Sequence, residues 1–250
     1  MAASKPVGFF GRHGNVLMYV PNLIGYLRIL AALYAFSVAF SNPVQCFVFY
    51  FASFVCDELD GRFARMLNQT STLGAVLDMV TDRLSTTGLL VIVAMSYPAL
   101  HMPVIALFML DIFSHWFQMY STLLRGEVTH KDVGSRSRLV RIYYTSRIFM
   151  GFCCVCCEVL YLAIYMSSWP ELMTVTIPGL RIPVPPAVHQ LIPGLSLFLG
   201  LEGLPLLTLL GVLMLPGFAV KQLCNWIQLK EAAYSLVDHD LPAVATKKAQ

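Results

Sequence analysis

Apolar runs long enough to cross a bilayer recur along nearly the whole chain, at 22–40, 44–66, 74–97, 101–124, 142–166 and 192–221. Inside roughly 30 Å of hydrocarbon a backbone must satisfy its own hydrogen bonds, and for a single run of residues the way to do so is a helix. The pattern predicts an all-α polytopic membrane protein, a six-transmembrane-helix bundle forming one domain over 22–221. Composition agrees: 57% of residues are hydrophobic, 12% are charged and the mean hydropathy is +0.68, against about 25% charged in a soluble domain.

The first 21 residues carry Lys5, Arg12 and His13 beside Phe9 and Phe10, which suits a short cytosolic or interfacial segment lying on the membrane surface. They lack the continuous apolar stretch and small-residue cleavage pattern of a signal peptide. Of the 17 Lys and Arg, all but Arg181 fall at the N-terminus, at helix ends facing it, in the 62–83 and 125–147 connections or near the C-terminus. The positive-inside bias therefore puts both termini, including a C-terminal tail over 222–250, in the cytosol. The opposite face has short uncharged connections near Asn42-Pro43 and Tyr97-Pro98 and a proline-rich excursion over 167–191, expected to lack regular structure.

Four aspartates interrupt this apolar design: Asp57 and Asp60 in the second run, Asp78 and Asp82 in the third. A carboxylate within a membrane helix is costly unless paired or bound to metal, so each marks a functional site. Running from about Val44, the second helix reaches Asp57 and Asp60 after ~20 and ~24 Å; measured back from Tyr97, the third reaches Asp82 and Asp78 after ~22 and ~28 Å. The two pairs thus lie at one level. Spacings of three and four residues put each pair on one helix face, so antiparallel neighbours can aim all four at one point. Their mutual repulsion is relieved by two hard divalent cations, and oxygen ligands favour Mg2+ or Mn2+ over zinc.

The residues between the pairs point to phosphate chemistry. Gly61 allows close approach of backbone and ligand, Ala64 keeps that helix face flat, and Arg65 offers a fork of donors matched to phosphate. The turn from Asn68 to Thr72 adds amide and hydroxyl groups beside it.

Asp57, Asp60, Gly61, Ala64, Arg65, Gly74, Asp78 and Asp82 fill every fixed position of Asp-x-x-Asp-Gly-x-x-Ala-Arg, eight residues, Gly, three residues, Asp, three residues, Asp. This is the signature of the CDP-alcohol phosphatidyltransferase family, which the chain therefore resembles. The resemblance implies six membrane helices, a homodimer, a site open to the cytosol and residence in the endoplasmic reticulum. It further implies that Asp57, Asp60 and Asp78 hold the metals, that Asp82 completes the metal site and serves as catalytic base, and that Gly61, Ala64, Arg65, Ser71 and Gly74 contact the CDP-lipid.

Outside the signature, Val20-Pro21-Asn22 with Arg28, the run from Ala64 to Gln69, the run from Ser114 to Ser121 and the stretch from Tyr143-Tyr144 to Leu160 are similar to the eukaryotic inositol-using branch of that family. This similarity implies transfer of a phosphatidyl group from CDP-diacylglycerol in the membrane to myo-inositol, with release of CMP. The motif holds no cysteine or histidine placed as a nucleophile, so direct displacement is expected rather than a covalent intermediate. A sister transferase acting on serine, glycerol 3-phosphate or a choline-type alcohol is the nearest alternative. A divalent-cation transporter would explain the carboxylates but not Gly61, Ala64 and Arg65.

Other features read more plainly. Cys153-Cys154-Val155-Cys156-Cys157 contains two Cys-x-x-Cys spacings inside an apolar helix, where cysteine packs as a small hydrophobe. His115 and Gln118 either face the acceptor alcohol or bond to neighbouring helices. Glu158 and Glu202 are expected to be satisfied by packing partners. No nucleic-acid motif is present, and the net charge of +3 is accounted for by the membrane.

Overall fold

The computed structural model describes residues 15–124, 138–178, 199 and 203–248. It divides into two compact units, one up to Ile92 and one from Val93 onward.

The first unit holds α1 (Val20–Ser37), α2 (Pro43–Met66) and most of α3 (Thr72–Ser96). Helix α2 starts where Asn42, extended at φ −147°, accepts the Gln45 N–H on its side chain and is followed by proline at the first helical position. Helix α1 packs along α2, with the small residues Ala32 and Ala35 buried on α1 and Cys46 and Ser53 buried on α2. Small side chains let two membrane helices approach closely, where dispersion and hydrogen bonds replace the missing hydrophobic drive. The Ser53 hydroxyl supplies such a bond, donating to the Arg28 carbonyl at 3.0 Å. Gly88 of α3 serves the same end, since a Cβ there would overlap the Phe36 ring.

The outer faces remain apolar. Leu27 and Leu30 of α1 are each 62% exposed, an arrangement suited to lipid rather than to water.

The turn joining α2 to α3 is built by local bonds. Gln69 N–H donates to the Ala64 carbonyl at 2.9 Å and Asn68 N–H to the Arg65 carbonyl at 3.5 Å, while Asn68 takes φ 52°. This is the Schellman ending, in which a left-handed residue lets two amides close the last turn, and asparagine is the residue after glycine that tolerates it. Two residues on, the Ser71 Oγ accepts the Gly74 N–H at 3.0 Å and starts α3. The helices consequently extend well into the 62–83 connection.

The second unit contains the end of α3, a 3-10 turn at Pro98–Leu100, α4 (His101–Leu124), α5 (Arg138–Thr145), α6 (Arg147–Met166) and α7 (Leu206–Lys248). The run expected as one helix over 142–166 is broken at Ser146. That residue turns extended, at φ −97° and ψ 98°, and caps α6 by accepting the Phe149 N–H. Helix α7 packs on both α4 and α6. Along α7, Asn225 donates to Asp111 Oδ1 of α4 at 3.2 Å, Gln222 donates to the Tyr161 hydroxyl of α6 at 3.3 Å, and Gln228 donates to the Tyr144 hydroxyl of α5. Their spacing of three places all three amides along one helical stripe. Tyr143, Cys153 and Cys224 form the buried centre. Cys153, Cys156 and Cys157 are buried and free, as expected of packing residues, and Glu158 has a partner; Glu202 lies outside the described residues.

Three boundaries differ from the sequence reading. The proline-rich excursion is not wholly irregular: Pro170–Thr174 forms a 3-10 turn, and β1 (Thr176–Pro178) pairs antiparallel with β2 (Gly203–Pro205), Ile177 opposite Leu204. The last helix begins at Leu206 rather than near 192. It also passes through position 221 without a break, because no proline or glycine follows Gly217 until Pro242, so the segment expected as a tail begins as helix. The segments 1–14, 125–137, 179–198 and 200–202 lie outside the described residues, and with them most of the expected interfacial segment.

Among the described residues, four helices are long and apolar enough to cross a membrane: Val20–Ser37, Pro98–Leu124 with its leading turn, Arg147–Met166 and Leu206–Leu241. The protein is a helical membrane protein, save for its short ribbon. Helices α2 and α3 are not among the four; α2 carries Asp57, Glu58, Asp60, Arg62 and Arg65, and α3 carries Asp78, Asp82 and Arg83.

Candidate active site

The site belongs to the first unit and is assembled by three helices. On α2, Asp57 and Asp60 face the same way; on α3, Asp78 and Asp82 do so one turn apart. The capped turn between these helices brings the pairs together. Carboxylate oxygens of Asp57, Asp60 and Asp78 lie within 4.8 Å of one another.

Helix α1 contributes the group that the sequence reading did not place in the site. The Arg28 side chain, 3% exposed, reaches all four acids: Asp57 Oδ1 at 2.6 Å, Asp60 Oδ2 at 2.6 Å, Asp78 Oδ1 at 3.2 Å and Asp82 Oδ1 at 2.5 Å. Its Nε is buried with no hydrogen-bond partner among the described residues. A lone arginine within an apolar helix was the available signal, since such a charge is retained only where it finds a partner. Arg83 adds a longer contact to Asp82, at 3.6 Å. The four acids differ in access: the Asp60 side chain is 10% exposed, Asp57 33%, Asp82 30% and Asp78 42%.

Beside the acids lies a cleft of about 170 Å³. Gly61, Ala64, Arg65, Ser71 and Gly74, all expected to contact the CDP-lipid, line it together with Asp60 and Asp78. Asp57 and Asp82 are not among its lining residues; they sit behind it on the Arg28 guanidinium. At Gly61 a Cβ would meet only the flexible Arg65 guanidinium, at 3.4 Å, so the protein's own packing does not require glycine there and the free space serves the cleft.

Asn22 of α1 is a second lining residue absent from the expected set. Its Nδ2 donates to the Val16 carbonyl at 2.6 Å, which fixes the amide, and its Oδ1 is buried without a hydrogen-bond partner among the described residues. In the second unit, His115 Nδ1 lies 2.8 Å from the Asp111 carbonyl, and the Gln118 carbonyl accepts from Ser121 and Thr122.

The acids fit hard divalent cations. Their donors are carboxylate oxygens only, three of them share a space of ion size, and a cationic guanidinium is already seated among them. Four carboxylates facing one guanidinium leave an excess of negative charge, which in a low-dielectric setting favours further cations. An acid cluster that fits cations, a cleft and a guanidinium beside them make an arrangement suited to holding a diphosphate and stabilising charge on it.

The family model described as CDP-alcohol phosphatidyltransferase matches residues 18–177. The chain is 45% identical over 232 residues to a probable CDP-diacylglycerol–inositol 3-phosphatidyltransferase 2 of Arabidopsis thaliana, covering 91% of this chain and 93% of that protein. It is 36% identical to the Saccharomyces cerevisiae CDP-diacylglycerol–inositol 3-phosphatidyltransferase, over 90% of this chain and 89% of the relative. The Homo sapiens protein of the same description is 40% identical over 63% of this chain and 74% of its own length. No solved structure matches the chain.

Proposed function

This chain belongs to the CDP-alcohol phosphatidyltransferase family, and from that membership we propose that it transfers the phosphatidyl group of CDP-diacylglycerol to myo-inositol, giving phosphatidylinositol and CMP. The observation that carries the reading is the gathering of six signature residues, Asp60, Gly61, Ala64, Arg65, Gly74 and Asp78, on one cleft, with Asp57 and Asp82 joined to them through Arg28, in a chain similar along nine tenths of its length to relatives described by that activity.

The division of labour follows from position. The CDP half occupies the cleft, where Gly61 and Gly74 give it room and Ser71 and Ala64 form the wall. Arg65 neutralises the diphosphate with a bidentate fork, which fixes the lipid-linked phosphorus relative to the acids. Asp57, Asp60 and Asp78, with Asp82 closing the set, would hold two Mg2+ or Mn2+ ions, which when bound would supply charge stabilisation for the diphosphate oxygens. Asp82, outside the closest oxygen cluster and partly open, takes the proton from an inositol hydroxyl. The hydroxyl oxygen then attacks the lipid-linked phosphorus in line; a new phosphorus–oxygen bond forms as the bond to CMP breaks, and CMP leaves with the bonding pair.

In this reading α1, α2, α3, α4, α6 and α7 are six membrane spans, with the acids of α2 and α3 sheltered from lipid by Arg28. The protein works as a homodimer in the endoplasmic reticulum, amid membrane lipid, with its cleft and both termini in the cytosol; the basic residues at 125–147 support that orientation.

The test is CMP release by purified protein in mixed micelles containing CDP-diacylglycerol. Myo-inositol is expected to support release far faster than serine, glycerol 3-phosphate or no acceptor. Faster release with serine or glycerol 3-phosphate would move the chain to a sister branch.

A further inference from the structure

We propose that Arg28 is an internal counter-ion that competes with divalent cations for the four aspartates, and so sets how tightly this chain binds its metals; the inference rests on the metal-site reading above. Arg28 is a positioning residue here, acting on the reaction through the acids.

The geometry is that of a shared seat. Among the described residues, every hydrogen bond and ion pair of the guanidinium goes to a candidate metal ligand, and Nε finds no partner. The backbone at Arg28 is anchored separately, by the Ser53 hydroxyl donating to its carbonyl at 3.0 Å, a contact that does not involve the guanidinium. Magnesium takes oxygen ligands at about 2.0–2.1 Å in a near-octahedral shell. A guanidinium 2.6 Å from the Asp57 and Asp60 oxygens fills the volume in which such a shell would form and occupies the same lone pairs. Cation and guanidinium also repel, at separations where little water intervenes. Binding of the divalent ions is therefore an exchange in which Arg28 gives up its carboxylate contacts.

Two consequences have opposite signs. Without Arg28, four carboxylates brought together by two helices would repel unrelieved, so its removal weakens the metal-free fold. The same removal eliminates the competitor, so metal binding tightens. A residue with only a structural role would weaken both.

The experiment titrates Mn2+, followed by its EPR signal, into the full-length protein in detergent micelles, alongside thermal unfolding with and without Mn2+. Arg28→Met is expected to unfold at lower temperature than wild type in chelator, yet to bind Mn2+ roughly tenfold tighter, a difference of about 1.4 kcal/mol. Its unfolding temperature should rise more on adding Mn2+ than that of wild type. Arg28→Lys, whose single ammonium cannot bridge four acids, should bind Mn2+ with intermediate affinity and decides the matter if the methionine variant does not fold. Affinity equal to or weaker than wild type in the folded variant overturns the competition. If that occurs while Asp60→Asn abolishes saturable Mn2+ binding, the metal site stands and only the role of Arg28 falls. Wild type with no saturable Mn2+ binding removes both.

Discussion

Asn22 and Gly74 meet so closely that a Cβ at position 74 would stand 2.8 Å from the Asn22 Oδ1 and 3.1 Å from the Ser71 Oγ. Neither neighbour can yield freely. The Asn22 amide is tied to the Val16 carbonyl, and the Ser71 hydroxyl caps α3 through the Gly74 amide. Gly74→Ala should therefore cost about 1–3 kcal/mol of stability through overpacking. Thermal unfolding of the purified variant is expected to shift down by a few degrees, and CMP binding to weaken because both neighbours line the cleft. Unchanged unfolding and CMP affinity would show that the α1–α3 contact relaxes without penalty.

Asp57→Asn, Asp60→Asn and Asp78→Asn each delete one ligand charge from the cluster. Each is expected to lower CMP release by roughly a hundredfold or more while the protein still folds, and chelation should silence the wild type until Mg2+ or Mn2+ is restored. Full turnover in chelator would end the metal-assisted mechanism.

Asp82 shares the Arg28 guanidinium with the other three acids, so only substitution separates the roles of base and ligand. Asp82→Asn should keep most of the CDP-diacylglycerol affinity, because Arg65, Gly61 and the other three aspartates remain. Turnover with myo-inositol should fall by about 10²–10⁴-fold, the usual contribution of a positioned base. Normal turnover would refute the base assignment, and loss of CDP-lipid binding in proportion to turnover would make Asp82 a binding residue instead.

Asn68-Gln69-Thr70 satisfies the glycosylation sequon, yet Asn68 closes α2 in the left-handed conformation and lies next to cleft-lining Gln69 and Thr70. In the proposed orientation it faces the cytosol and stays unmodified in cells. A mobility shift on glycosidase treatment that disappears in Asn68→Gly would reverse the topology. That variant should fold as well as wild type, since glycine takes positive φ without strain.

Much of the site was legible because its logic is local. Asp57 and Asp60, or Asp78 and Asp82, share a face whatever surrounds their helices, since a spacing of three or four residues guarantees it. The pairing of the two faces was legible as well, for a short connection forces neighbouring helices to run antiparallel. The break at Ser146 was harder to see. The apolar pattern runs on through it, and a serine becomes a cap only when its backbone turns extended.

By itself, then, the sequence determined the membrane class, the helices near their observed places and the identity of the acids, because hydrophobic length and helical periodicity act over a few turns. Tertiary structure alone decided what the acids touch. Arg28 lies 32 residues from Asp60 and 54 from Asp82, and no periodicity states which neighbour a lone arginine on α1 will face. That choice is made by the packing of α1 along α2, in which Ala32 and Ala35 are buried and the Ser53 hydroxyl of α2 bonds the Arg28 carbonyl. The pairing of Ile177 with Leu204 is likewise non-local, since register between strands so far apart in the chain is fixed by the helices that carry their ends.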